Sequence, residues 1–190
     1  MTRIGTRISA DWLDRPEDLK FIKQIGVDYV DIVLDMVPGY DEAGGRANRD
    51  GLNQVIEKLD DAGLKIERAN TSGTHYVNAF LGRPGGDREI ENLQVNAELC
   101  GEAGLPMFGI QAFQVSTLHP FRENFHSWVT GRGGYQHHHM RVRELADMPL
   151  RSDAPSAQQI WEGTLNIYKS VMPVLDQYDL RVGMHGNDPP

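Results

Sequence analysis

The sequence has a single cysteine, no long apolar run and no excess of positive charge. Cys100 has no partner for an internal disulfide, and a lone thiol suits a reducing compartment, so we expect a cytoplasmic protein. No stretch approaches the roughly 18 apolar residues of a membrane span, and the start "MTRIGTRISADW" lacks the apolar core of a signal peptide. The formal net charge is −8 and no basic stripe is present, which argues against nucleic acid as a partner. A small anionic substrate stays compatible with this charge, because a local arginine or a metal ion can outweigh the global field.

Two common catalytic signatures are also missing. No Gly-x-Ser-x-Gly elbow occurs, and Cys100 falls on the apolar face of a predicted helix, so nucleophilic acyl transfer is not expected. No G-x-G-x-x-G motif follows the first predicted strand, which disfavours a dinucleotide-binding site.

What the sequence does contain is a regular alternation of strand and helix patterns. Apolar runs predict strands, and apolar residues spaced three and four apart predict helices. The strands are expected in 3–9, 27–35, 64–71, 105–113 and 180–184, and the helices in 14–26, 48–63, 87–104 and 157–179. Asp14 is expected to cap the first helix, and Gly63 to end the second. The long polar stretch between the fourth strand and the last helix reads as a functional loop, with no sign of a hairpin.

This alternation predicts an α/β fold with a parallel sheet and helices outside it. Either a doubly wound sheet or a (β/α)₈ barrel satisfies the pattern. A complete barrel needs about 250 residues. If the fold is a barrel, the sequence therefore holds about four and a half βα units, and roughly three are absent.

In both folds the functional groups gather at the carboxyl ends of the strands. The candidates at the strand ends are Arg7, Asp35, Asn70, Gln111 and His185, and the loops add His75, Arg132, Tyr135 and the tract His137–His139. A lone histidine at a strand end is more often hydrogen-bonded scaffolding than a metal ligand. Adjacent histidines on an extended loop point in alternate directions, so we expect the tract to lie over substrate or water and not to chelate one ion.

Two long motifs resemble one enzyme family. "LGRPGGDREIENLQVNAELCGEAGLPMFG" and "NIYKSVMPVLDQYDLRVGMHGNDPP" are similar to segments of the mannonate dehydratases, which belong to the xylose-isomerase-like barrels. In that family the second segment closes on His-Pro-Asp-Asp-Pro-Pro, where this sequence reads His-Gly-Asn-Asp-Pro-Pro. The family's paired histidines after the second strand are replaced here by Asp35 and Met36. "IQAF" stands where the family has Cys-Tyr-Asn-Phe.

The resemblance implies a fold and an activity. It implies an incomplete (β/α)₈ TIM barrel, with residues 1–190 as one partial domain and strands six to eight absent. It implies a lyase that removes water from a sugar acid, D-mannonate to 2-keto-3-deoxy-D-gluconate, with a divalent metal, Mn²⁺ or Mg²⁺. It assigns His185 to the metal. The family's other ligands are a cysteine, a histidine and an aspartate on the later strands, so this chain alone is expected to be inactive.

The residues themselves suggest how a sugar acid would be held. Arg7 or Arg132 would bind the carboxylate, because guanidinium groups form two parallel hydrogen bonds to it. His75, Gln111 and Tyr135 would line the substrate site and bond hydroxyls. Asp188 would accept the second ring N–H of His185. The general base has no assignment at this stage.

Two alternatives stay open because of the departures from the family motifs. One is a sugar isomerase or epimerase on the same barrel, and the other is a non-catalytic fragment that binds sugars or proteins. The partner is expected to be a small sugar acid, with no nucleic acid and no membrane. Open edges at the first and fifth strands also predict a homo-oligomer.

Overall fold

The computed structural model describes residues 4–111, 126–140 and 155–185. Within these ranges seven strands and five α-helices alternate along much of the chain. The strands are β1 Gly5–Arg7, β2 Tyr29–Val33, β3 Lys65–Asn70, β4 Met107–Gln111, β5 His126–Thr130, β6 Gln136–Met140 and β7 Arg181–His185. The helices are α1 Pro16–Gln24, α2 Arg49–Asp61, α3 Val77–Leu81, α4 Gly86–Glu102 and α5 Ala157–Gln177.

Five strands form one parallel sheet in the order β1-β2-β3-β4-β7. Every neighbouring pair in it is parallel, as the alternation of strands and helices predicted. The strand order never reverses, whereas a doubly wound sheet has a reversal at its switch point. The architecture is that of an incomplete (β/α)₈ barrel, and the predicted fold class is confirmed.

Alternate side chains of the strands pack under the helices. Val30, Ile32 and Phe108 are at most 1% exposed, and they belong to one continuous core with the apolar stripes of the helices. The last helix presents Ile167, Val171 and Leu175 at intervals of one turn, and all three are fully buried. Cys100 lies in the same core, as predicted, and burial raises the pKa of its thiol to about 12.

The four helices that lead directly into strands of the large sheet end in the same way. After α2, the amide of Gly63 donates to Asp60 and the amide of Leu64 donates to Leu59, which is the hydrogen-bond pattern of a Schellman motif. Gly63 has a φ of +73°, which suits glycine. The end of α5 uses Asp179 at a φ of +51°, the one non-glycine residue with positive φ in the described part of the chain.

Two local predictions are wrong. Asp14 does not cap α1, because Arg15 precedes Pro16 at the first helical position and the Asp14 carboxylate instead accepts from Lys58 at 2.8 Å. A proline at the helix start already removes one of the unpaired N–H groups that a cap would serve. The long polar stretch contains an antiparallel hairpin, in which β5 pairs with β6 around the 131–135 turn.

In the described ranges, no helix has the length and apolar character needed to cross a membrane.

Candidate functional site

The face of the sheet opposite the helices carries charged side chains around Asp31. Arg68 donates to both carboxylate oxygens of Asp31, from Nε at 2.9 Å and from Nη2 at 2.6 Å. Arg7 donates from Nε at 3.3 Å, and Asn70 from Nδ2 at 2.7 Å. Hydrogen bonding to Asp31 raises the pKa of Arg68. Two guanidinium groups thus share one carboxylate, and the ion-paired group keeps a net positive charge.

Asp31 accepts hydrogen bonds from more of the donor groups of Arg68 than of Arg7. Arg68 forms a two-pronged contact and is one-third exposed, so its donors are largely committed. Arg7 uses only Nε, and half of its side chain is exposed at the carboxyl end of β1. The Arg7 guanidinium is therefore the member of the cluster best placed to receive an anion.

Two glycines lie on the same face further along the sheet. Gly109 and Gly183 are register partners on β4 and β7. A Cβ on Gly109 would lie 2.0 Å from Oδ1 of Asn70, so only glycine lets the Asn70 side chain occupy its place beside Asp31. The Asn70 amide fills the space beside Gly109, and the face opposite the helices is the inner, concave face of the incomplete barrel.

A buried tyrosine ties the ends of β3 and β4 together. The Tyr76 hydroxyl donates to the carbonyl of Gln111 at 2.9 Å and lies 3.1 Å from the hydroxyl of Thr71. Thr71 in turn donates to the carbonyl of Gly109. Burial raises the pKa of the Tyr76 phenol, so it stays neutral and acts as a fixed hydrogen-bond bridge. This bridge sets the position of the turn that carries His75.

His75 forms a hydrogen-bonded pair with Asp41 across two loops. The distance between His75 Nε2 and Asp41 Oδ1 is 2.8 Å. The buried ring of Tyr40 meets the imidazole edge-to-face, with 5.1 Å between the ring centroids. Gly45, at a φ of +86°, leaves room for the imidazole, because a Cβ there would lie 2.4 Å from that of His75. When Nε2 donates to Asp41, the lone pair on Nδ1 is available to take a proton.

Asp35 lies on the turn that follows β2, near the same loops. Desolvation by the surrounding protein, and then the negative charge of Asp41, raise the pKa of the Asp35 carboxyl. The His75 and Arg7 charges act in the opposite direction. Asp35 is thus electrostatically linked both to the charged cluster and to the histidine pair.

The fifth strand of the large sheet ends beside Gln111. Backbone pairing aligns His185 with Gln111 at the last position of β4 and β7. The side chain of His185 and all of Asp188 lie outside the described part of the structure, so their assignment to metal and to its support stays a prediction.

Arg132 and Tyr135 lie in the turn of the β5–β6 hairpin. Both are exposed, and the Tyr135 ring lies 5.4 Å from the ring of His137. Among the described contacts, none joins these two residues to Arg7 or His75. The described contacts therefore do not link the hairpin candidates to those at the carboxyl ends of the large sheet.

Sequence reasoning missed Asp31, Arg68 and Asp41. Arg68 lies inside the predicted third strand and is partly buried against Asp31. The available signal was the presence of charged residues inside the predicted parallel strands, which usually read as continuous apolar runs. Asp41 had no signal, because its pairing with His75 depends on two loops meeting in space.

The described residues do not form a metal site at this face. Within 4–111, 126–140 and 155–185, no group of three or more His, Cys, Asp or Glu side chains is arranged to hold an ion. Asp31 is already engaged by arginine and asparagine donors. The implied metal thus finds no ligand set among these side chains.

Comparisons with known proteins agree with the class of fold, an incomplete parallel (β/α)₈ barrel. No family model matches the chain, and no curated protein matches it by sequence. Mannonate dehydratase from Streptococcus suis serotype 2 superposes with a TM-score of 0.73 at 17% identity, over 100% of this chain and 55% of that one. D-psicose 3-epimerase from Clostridium cellulolyticum H10, solved with D-tagatose, gives 0.53 at 11% identity, over 95% of this chain and 51% of that one. The chain therefore spans about half the length of these structures, and at such identities the likeness shows the fold alone.

Proposed function

We propose that the chain belongs to a hydro-lyase that acts on a sugar acid, of the type that converts D-mannonate to 2-keto-3-deoxy-D-gluconate. The observation that carries this proposal is the positive cluster of Arg7 and Arg68 around Asp31 at the concave face of the sheet. The superposition on a mannonate dehydratase over the whole chain supports the same choice.

The charge of the cluster favours an acid over a neutral sugar. A carboxylate that approaches Arg7 meets a guanidinium that already donates from Nε to Asp31, so less side-chain freedom is lost on binding than for an unpaired arginine. Arg–carboxylate contacts are among the stronger polar contacts in proteins because both partners are charged. A neutral ketose has no group that uses this charge. The cluster therefore distinguishes the dehydratase proposal from an epimerase of neutral sugars.

The remaining residues have roles in binding and proton transfer. Removal of water from a sugar acid requires loss of the proton alpha to the carboxylate and departure of the beta hydroxyl. In the proposal, His75, oriented by Asp41, takes or returns a proton through Nδ1. Gln111, at the carboxyl end of β4 next to His185, forms a hydrogen bond with a substrate hydroxyl. Arg132 and Tyr135 approach the substrate only if the hairpin lies over the concave face, and this part stays a prediction.

The divalent metal also stays a prediction. Mn²⁺ or Mg²⁺ would stabilise the negative charge that develops on the carboxylate when the alpha proton leaves. The described residues supply no group of three ligands for such an ion.

A binding experiment tests the proposal on the chain as it stands. We expect D-mannonate to shift the amide NMR signals at the ends of β1, β2 and β3, and we expect D-mannose and D-fructose to shift them at least tenfold less at equal concentration. Arg7→Gln should remove the response to mannonate, because it deletes the exposed guanidinium. Arg181→Gln is the matched control, since it removes an exposed, ion-paired arginine from the opposite, amino end of the sheet and should leave the response intact.

The outcomes separate the alternatives. Equal responses to the acid and to the neutral sugars, unchanged by Arg7→Gln, would overturn the sugar-acid proposal and favour an epimerase of neutral sugars. No response to any sugar would overturn it in favour of the non-catalytic fragment. A keto-deoxy product in the presence of Mn²⁺ would support the dehydratase directly, whereas an epimerised acid would support isomerase chemistry.

A further inference from the structure

The histidine tract lies on a β-strand, and this changes what it can do. His137 and His139 belong to β6, where they pair in register with Val129 and Ser127 of β5. Side chains two residues apart on a strand point to the same face, whereas the residue between them points to the other. The strand therefore places two of the three imidazoles side by side, which a mobile loop does not do.

The surroundings of this pair suit a metal ion. The cross-strand register partners on the same face, Val129 and Ser127, are uncharged, so neither repels a cation. His139 is exposed and His137 is partly buried. The Tyr135 ring packs at 5.4 Å from the His137 ring and limits its rotation. In Gly131 the absence of a Cβ makes room for Tyr135, since a Cβ there would lie 2.6 Å from its ring.

We propose that His137 and His139 form a two-imidazole site on the β5–β6 hairpin that binds a late divalent transition metal ion, with Cu²⁺ as the preferred ion. Imidazole is a good ligand for Cu²⁺, Ni²⁺ and Zn²⁺, and affinities in this series peak at Cu²⁺ and are lowest for Mn²⁺. Since no group of three His, Cys, Asp or Glu side chains among those described could hold an ion, the proposed site has two protein ligands, and water would fill the remaining positions. The hairpin site thus selects different metals from the Mn²⁺ or Mg²⁺ expected at the sheet, and it is independent of the proposed activity.

Single substitutions along the tract test this geometry. Cu²⁺, buffered with glycine, is titrated into the full chain and into His137→Gln, His138→Gln and His139→Gln. We expect at least tenfold weaker binding for the first and third variants and less than threefold weaker binding for His138→Gln. The matched control is His138→Gln, since His138 occupies the alternate register position, opposite Trp128. Electron paramagnetic resonance of the bound copper should show two equivalent nitrogen ligands.

A gain of affinity provides a second readout that does not depend on removing a residue. Ser127→His places a third imidazole directly across the ladder from His139 and should tighten copper binding at least tenfold. Equal losses for all three single variants would show that the tract acts as a flexible chelator and would overturn the proposal. Unchanged binding in all three variants would place the copper at another histidine and would overturn it as well.

Discussion

The two faces of the parallel sheet are built from alternate residues of the same strands, yet they have opposite chemistry. The face under the helices carries Val30, Ile32 and Phe108, none more than 1% exposed. The other face carries Arg7, with half of its side chain exposed, and the carboxylate of Asp31. A shift of one residue separates a position that stabilises the fold from a position that carries a charge.

This difference shows how a small chain can hold charges inside a barrel-like sheet. The apolar face supplies the burial that stabilises the fold, so the opposite face can carry ion pairs whose net contribution is small. Substitutions on the two faces should therefore affect different properties of the protein.

The largest expected effect is on the helix-facing side. Phe108→Ala should lower the free energy of unfolding by about 3–5 kcal/mol, because it leaves a cavity in a fully buried part of the core. Arg7→Gln on the opposite face should lower it by less than about 1 kcal/mol, because the ion pair is half-exposed and screened by solvent. Urea unfolding measures both. Similar losses in the two variants would contradict the separation of the faces.

Breaking the ion-paired cluster should have an intermediate effect. Asp31→Asn should lower the free energy of unfolding by about 1–3 kcal/mol, because two guanidinium groups lose their shared counter-charge while Asp31 itself is mostly buried. The control is Asp28→Asn, which removes a carboxylate from an exposed pair with Lys23 and should change stability by under about 0.5 kcal/mol. An Asp31 variant as stable as its control would mean that the cluster is not structural.

Tyr76 and Tyr40 are both fully buried in loops that follow strands of the sheet, so they provide a closely matched comparison. Tyr76→Phe should lower the free energy of unfolding by about 1–2 kcal/mol, because the Gln111 carbonyl loses the hydroxyl that donates to it. The Tyr40 hydroxyl lies near the Ser72 backbone but makes no hydrogen bond of normal geometry to any of the described residues. Tyr40→Phe should therefore cause no loss of stability. Thermal unfolding of both variants checks this, and a larger loss for Tyr40→Phe would reverse the interpretation.

The smallest effect depends on pH and concerns Asp35. Its pKa is raised in the folded protein, so ionising this carboxyl destabilises the fold. The penalty is absent below the ordinary pKa of aspartate, grows as the pH rises through the interval up to the raised value, and is complete above it. Asp35→Asn should therefore raise the unfolding free energy modestly at neutral pH and leave it unchanged at acid pH. A gain of equal size at both pH values would exclude the electrostatic cause.

The sequence was sufficient to predict the large sheet and its principal helices. Stripes such as Leu52, Val55 and Leu59 identify buried helices, and Arg7 and Gln111 lie at the carboxyl edge of the sheet as the parallel strands predicted, while their roles stay predictions. The hairpin was missed because its strands contain mostly histidine and other polar residues, so alternation of apolar residues gave no signal. The pairing of His75 with Asp41 was missed because it depends on where two loops meet, which local pattern does not encode.

The connection between β4 and β7 has a consequence for the order of assembly. Gly5 and Tyr29 are paired across a single short βα unit, whereas Met107 and Arg181 are paired across the hairpin segment and all of α5. The segment between Met107 and Arg181 is roughly three times longer than the segment between Gly5 and Tyr29. Closing it therefore costs ~1 kcal/mol more in chain entropy. β7 should therefore dock late during folding and open early, so its amide protons should exchange with deuterium before those of β2.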